Sequence, residues 1–188
     1  PHEKPLFEKV GIETTFVGHP LANKIPLQSN MNKYRKALKL NREELVIALL
    51  PGSRVGELKA HTKTLLETAQ NLLEVHPDAK FLIPATNDKN VHFIKGRIRN
   101  NPTKNLKLIK GKVDEILSSS NIAIAASGTA SLQIALHKKP MIIIYKGSWI
   151  SYFIWKMVRL IPNVSLPNIL LNENFVPECY NIEQRQIY

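Results

Sequence analysis

Leu45-Val46-Ile47-Ala48-Leu49-Leu50-Pro51-Gly52-Ser53-Arg54 is the stretch on which the fold turns. Apolar residues in an unbroken run, with no polar alternation, suit a strand buried on both faces, and such strands belong to parallel sheets covered by helices. Pro51 and Gly52 supply a tight turn. Beyond it, Val55, Leu58, Leu65, Leu66, Ala69, Leu72 and Leu73 keep one apolar stripe at helical spacing until Pro77 stops it.

The same strand–turn–helix rhythm extends in both directions. Strands are predicted over 15–18, 80–84, 106–109, 122–126 and 141–145, and helices over 31–40, 55–76, 88–100, 113–119 and 129–137. This alternation predicts an α/β fold built on a parallel sheet. Residues 1–27 stand apart from the repeat and read as a hinge segment and the tail of an upstream domain. Residues 28–162 form the main domain, and 163–188 read as a loop returning to the domain edge that stops without a tidy end.

The chain has 188 residues, 44% hydrophobic and 22% charged, which suits one domain with a full apolar core and excludes disorder and fibrous architectures. A single cysteine, Cys179, excludes a disulfide framework and points to a reducing compartment, with the cytoplasm as default. Six scattered histidines show no i, i+4 pair, so no metal and no cofactor are expected. The charged start does not read as a signal peptide, so none is expected there, and the longest apolar run, 149–161, is broken by Lys156 and Arg159 and falls short of the ~20 residues of a membrane span.

The net charge of +11 asks for an anionic partner: nucleic acid, an anionic membrane or a phosphorylated substrate. Most of the excess lies between Lys89 and Lys112, which hold eight basic residues and no acidic one. That stretch is either a solvated face or a surface for anionic lipid headgroups. Nucleic acid ranks last, because only Phe93 is there to stack on bases. A second membrane clue is 149–160, whose Ser151, Lys156 and Arg159 leave a wide apolar face with two Trp. Such a helix is buried against protein or lies in a bilayer interface.

Ligands of open parallel sheets sit beyond the carboxyl ends of the strands, and two post-strand turns carry suitable residues. In the first, Ser53 can cap the helix and Arg54 can meet a phosphate bidentately; the alternative is an Arg54 that pairs with Glu57. The second is Ser127-Gly128-Thr129-Ala130, a small turn opening a helix whose first N–H groups and positive dipole end suit a phosphate. Gln133, one turn on, can reach a ribose hydroxyl. The bland alternative is an ordinary helix cap. No Gly-x-x-x-x-Gly-Lys or Gly-x-Gly-x-x-Gly run is present, which disfavours ATP hydrolysis and nicotinamide binding.

Together with the Pro1-His2-Glu3-Lys4 opening, Val17-Gly18-His19-Pro20-Leu21 and Ser165-Leu166-Pro167-Asn168, these pieces resemble lipid-A-disaccharide synthase, a glycosyltransferase of GT-B architecture. The order and spacing agree along the whole chain. Position 133 carries Gln where the family leads one to expect Glu, and His2 stands where Phe is expected.

The resemblance implies a Rossmann-like, doubly wound sheet forming the C-terminal half of a two-domain enzyme, with 28–162 as the UDP-sugar donor domain. It implies an inverting, metal-independent hexosyltransferase of Gram-negative lipid A biosynthesis, peripheral on the cytoplasmic face of the inner membrane. The donor would be UDP-2,3-diacylglucosamine and the acceptor 2,3-diacylglucosamine 1-phosphate, joined by a β-1,6 linkage. Arg54 and Asn168 are the expected catalytic residues. Ser53, Arg54, Ser127, Gly128, Thr129, Ala130 and Gln133 are expected to hold UDP, and His19 and Glu57 to line the cleft. The acceptor site and general base would come from an N-terminal domain, so weak UDP binding without transfer is expected of these residues alone; a homodimer is a further expectation. The alternatives are another UDP-sugar transferase or epimerase of GT-B fold, or a non-catalytic basic module for anionic membrane or nucleic acid.

Overall fold

The computed structural model describes residues 4–26, 30–146 and 163–180. Among them the elements run α1 (Lys4–Lys9), α2 (Pro20–Lys24), α3 (Met31–Ala37), β1 (Val46–Leu50), α4 (Val55–Val75), β2 (Lys80–Ala85), α5 (Asp88–Asn100), β3 (Leu106–Lys110), α6 (Val113–Ser119), β4 (Ile122–Ala126), α7 (Thr129–Leu136), β5 (Met141–Tyr145), α8 (Leu166–Leu171) and β6 (Glu178–Tyr180). The strands form one sheet in the order β3-β2-β1-β4-β5-β6 with every pairing parallel. The chain winds outward from β1 to β3, then crosses to the other side of β1 and winds outward again. This is the doubly wound, Rossmann-like arrangement.

Alternation along each strand divides the core into two layers. Val46, Ala48 and Leu50 pack with Leu38, Ile116, Leu117 and Ile134 beneath α3, α6 and α7. Ile47 and Leu49 face the opposite way, toward Leu58, Leu65, Leu66 and Ile94 of α4 and α5. At one edge β3 is less buried and carries Lys107 and Lys110, charges that discourage pairing with a stray strand.

The expected strand over 15–18 does not form. Among the described residues no strand lies beside it to supply hydrogen bonds, and Val17 is 90% exposed. The predicted helix over 31–40 closes at Ala37, because Lys39 turns left-handed and the Leu40 N–H returns to the Arg35 carbonyl. Within the segment expected to be a loop and edge piece, Leu166–Leu171 form a helix and Glu178–Tyr180 a strand. Asn168 exchanges two hydrogen bonds with Val176 and thereby aligns Glu178–Tyr180 beside β5. The apolar segment 149–160 lies outside the described residues. Among the described residues no helix is long and apolar enough to cross a membrane.

The entrance to the sheet is fastened by a buried cation. Arg35, 2% exposed, donates from Nε to the Ser119 carbonyl at 3.0 Å, from Nη1 to the carbonyls of Asn41 (3.1 Å) and Arg42, and from Nη2 to Asn121 Oδ1 at 2.7 Å. Asn121 Oδ1 also accepts the Val46 N–H at 2.8 Å, so one side chain ties α3 and the C-terminus of α6 to the first residue of β1. Lys139 donates to the Ser118 and Ser120 carbonyls at the same helix end. Burial, then the nearby Arg35 charge, hold its ammonium below the usual lysine range. Two cations thus meet the negative end of the α6 dipole. Arg35→Ala leaves several buried acceptors without donors and should cost ~3 kcal/mol or more, read as a lower urea midpoint at unchanged slope.

Candidate functional site

Parallel strands put all their carboxyl ends on one rim, and the winding reverses between β1 and β4. Leu50 pairs with Ala125 there, so the turn after β1 (51–54) and the turn after β4 (127–128) lie side by side. The two segments singled out in the sequence therefore meet at the topological switch point, where open α/β sheets bind ligands.

In the first turn Gly52 has φ +102°, and a Cβ on it would fall 2.4 Å from Glu57 Oε2. That space belongs to the Glu57 carboxylate. Its Oε2 accepts the N–H groups of Ser53 (2.7 Å) and Arg54 (3.1 Å), and Oε1 meets Arg54 Nη1 at 3.0 Å. Burial raises the Glu57 carboxyl, but these hydrogen bonds and the guanidinium outweigh it and the net shift is downward. The expected Ser53 cap is corrected: Arg54 is the N-cap residue, and the Ser53 N–H is taken by Glu57. Arg54 fits both of its readings, since it pairs with Glu57 while its side chain stays 86% exposed above the rim.

The second turn places Gly128 at φ 148°, ψ −162°, a region open essentially to glycine alone. A Cβ there would meet nothing within 4 Å, so backbone angle rather than crowding requires glycine, and the side facing outward is open. Thr129 and Ala130 follow as the first residues of α7, where N–H groups have no carbonyl one turn back. Ser127 does not point freely at a ligand: its hydroxyl donates to the Val164 carbonyl at 2.7 Å. Gln133 Nε2 donates to Asp114 Oδ1 at 2.7 Å, which orients the side-chain amide. His137 Nε2 shares that Asp114 oxygen at 2.9 Å. Burial raises the Asp114 carboxyl, and the bonds from His137 and Gln133 bring it below its ordinary value.

Asn168 is 1% exposed and its amide is engaged with Val176 and Glu178, so here it braces the segment between α8 and β6 from inside the protein. His19 caps α2, accepting the Leu21 N–H at Nδ1, and α2 lies against α7. Three contributors escaped sequence reasoning. Asn90 donates to the Ser53 carbonyl (2.8 Å) and to Thr86 Oγ1 (2.7 Å), joining the first turn to the one after β2. His61 links the Glu57 carbonyl at Nδ1 to the Lys146 N–H at Nε2, past the end of β5. Burial lowers its pKa, in keeping with a neutral ring that donates on one side and accepts on the other. Glu178 holds Val164 and Ser165. The bonds from Asn90 to Ser53, from Lys146 to His61 and from Val164 and Ser165 to Glu178 join residues distant in the chain, so nothing local in the sequence marks them.

The basic stretch does not form one surface. Lys107 Nζ donates to the Leu38 carbonyl on one side of the sheet edge, whereas Lys110 pairs with Asp88 at 2.7 Å on the α5 side. Arg97 lies over the Phe93 ring. Lys89, Lys95, Arg99 and Lys104 are exposed on and just after α5.

A family model described as Lipid-A-disaccharide synthetase matches residues 1–188. Among curated proteins, the Lipid-A-disaccharide synthase of Dechloromonas aromatica (strain RCB) is 40% identical over 187 residues, covering 97% of this chain and 49% of that protein. That of Anaeromyxobacter dehalogenans (strain 2CP-C) is 36% identical over 178 residues, covering 95% and 46%. The chain thus spans about half the length of the curated relatives it matches. In fold it is similar to E. coli ADP-heptose lps heptosyltransferase II, with a TM-score of 0.55 and 11% identity over 80% of this chain and 44% of that one.

Gly52→Ala should force Glu57 out of the turn and cost ~1–3 kcal/mol in urea unfolding. Because the folded Glu57 pKa lies below its ordinary 4.5, its stabilisation is present above that value and is lost as pH falls through the lowered one. The acid loss of stability should therefore be shallower in Gly52→Ala than in the unmodified chain.

Proposed function

We propose a donor-nucleotide role from one premise: the chain belongs to the lipid-A-disaccharide synthetase family. The reaction is transfer of 2,3-diacylglucosamine from its UDP derivative to 2,3-diacylglucosamine 1-phosphate, with UDP as the leaving group. The observation that carries this reading is the meeting of the Arg54 and Gly128 turns at the β1–β4 switch point. The donor unit runs through 28–162 and takes in β6, which extends the same sheet.

As the sugar–oxygen bond breaks, negative charge gathers on the diphosphate, and fixed dipoles and cations aimed at it lower the barrier. The N–H groups of Thr129 and Ala130 and the dipole of α7 supply the first. Arg54 supplies the second by exchanging its Glu57 partner for phosphate oxygens, a forked geometry well matched to the guanidinium. Gln133 accepts from a ribose hydroxyl, its amide nitrogen held by Asp114.

Both substrates carry acyl chains and phosphate, which favours work at an anionic membrane. Lys89, Lys95, Arg99 and Lys104 are the proposed docking charges, since Lys107 and Lys110 already have protein partners.

Calorimetry should show saturable UDP binding to the 188-residue chain, weakened about tenfold or more by Arg54→Ala, as loss of hydrogen bonds to a charged group implies. The absence of a saturable site would overturn the donor reading. Replacing Lys95 and Arg99 with Gln should reduce co-sedimentation with phosphatidylglycerol vesicles by about fivefold per charge, with UDP affinity unchanged.

A further inference from the structure

The Glu178 carboxylate gathers four donors. Oε1 accepts the Ser165 N–H and Asn168 Nδ2, each at 2.9 Å; Oε2 accepts the Val164 N–H at 3.0 Å and the Tyr180 hydroxyl. Burial raises its pKa, and hydrogen bonding from Ser165, Tyr180 and the Val164 N–H brings the net shift below the ordinary carboxylate value, so it stays charged at neutral pH. Val164, which it grips, touches the second turn, and so does Leu166, the neighbour of the gripped Ser165. The Val164 carbonyl accepts from Ser127 Oγ at 2.7 Å, and the Leu166 N–H donates to Ser131 Oγ at 3.3 Å, which in turn donates to the Gly128 carbonyl at 2.7 Å. Hydrogen bonds and the short peptide segment 164–166 therefore lead from Glu178 to both sides of Gly128.

Gly128 needs such external fixing. Without a Cβ, its peptide planes rotate more freely than those of any other residue type. The orientation of the N–H groups that follow it therefore depends on what holds Ser127 and Ser131.

The geometry points to Glu178, at the far edge of the sheet, as a positioning residue that sets the Gly128 turn for donor binding. This rests on the donor-nucleotide reading above. The role calls for a carboxylate rather than any acceptor of the same shape. A glutamine must turn its NH2 toward one of the two positions, and each receives a backbone N–H that can only donate. Whichever way the amide flips, Val164 or Ser165 loses its partner.

The test uses the 188-residue chain with Glu178→Gln, read by amide hydrogen exchange without ligand and by UDP calorimetry. Exchange at Ser127 and Ser131 should quicken by about tenfold, exchange in β1 and α4 should hold, and UDP affinity should fall by about tenfold, the loss of roughly one hydrogen bond to a charged group. Tyr180→Phe, which removes one donor and keeps the carboxylate, should move the same readouts in the same direction by less. It carries the test if Glu178→Gln does not fold. Unchanged exchange at Ser127 and Ser131, or unchanged UDP affinity beside altered exchange, overturns the positioning role. If the unmodified chain takes up no UDP while exchange still responds, the donor reading fails and the mechanical link stands.

Discussion

Every strand of this sheet runs the same way, and that constraint organises the rest. Strands buried on both faces have no room for polar side chains, so chemistry is confined to the rim where the strands end. The reversal of winding after β3 then decides which turns on that rim become neighbours. Arg54 and Gly128 lie far apart in the chain and adjacent in space because β4 inserts beside β1. The opposite rim carries the fastening: Arg35, Asn121 and Lys139 knit the entrances of β1 and β4 to the end of α6. Stability and the proposed ligand contact thus fall at opposite ends of the same strands.

The fastening uses an unusual pairing. The described partners of the Arg35 guanidinium are carbonyl and amide oxygens and no carboxylate. Backbone carbonyls at a helix end carry partial negative charge, so they answer a buried cation while needing donors themselves. Neither an acid nor a small apolar residue could meet both needs.

Much of the architecture was legible because its signals are local. The runs at 46–50, 122–126 and 141–145 are apolar without interruption, and Pro77 marks where α4 must stop. What failed was non-local. Phe16 and Val17 look like strand residues, but a strand exists only where another offers its backbone. Conversely, β6 has too few residues to announce itself and is held by Asn168 and Glu178. The site divides the same way. Arg54, Glu57 and the Ser127–Ala130 turn follow their strands directly, whereas Asn90, His61 and Asp114 act on residues from other elements. Asn168 shows the remaining hazard: a polar residue in a distinctive motif can owe its place to bracing the backbone rather than to touching a ligand.

Glu57 gives the proposed phosphate site a resting occupant. With its carboxylate on the Ser53 and Arg54 amides and against the guanidinium, the turn neutralises itself when empty. An incoming anion must compete with a tethered one at high effective concentration. A lone phosphate, or a stray strand of nucleic acid that cannot also reach the Gly128 turn, gains little from displacing Glu57. A diphosphate spanning both turns gains from each at once. In the proposed site this arrangement would trade raw affinity for discrimination, so that a protein of net charge +11 keeps an exposed arginine from answering every polyanion.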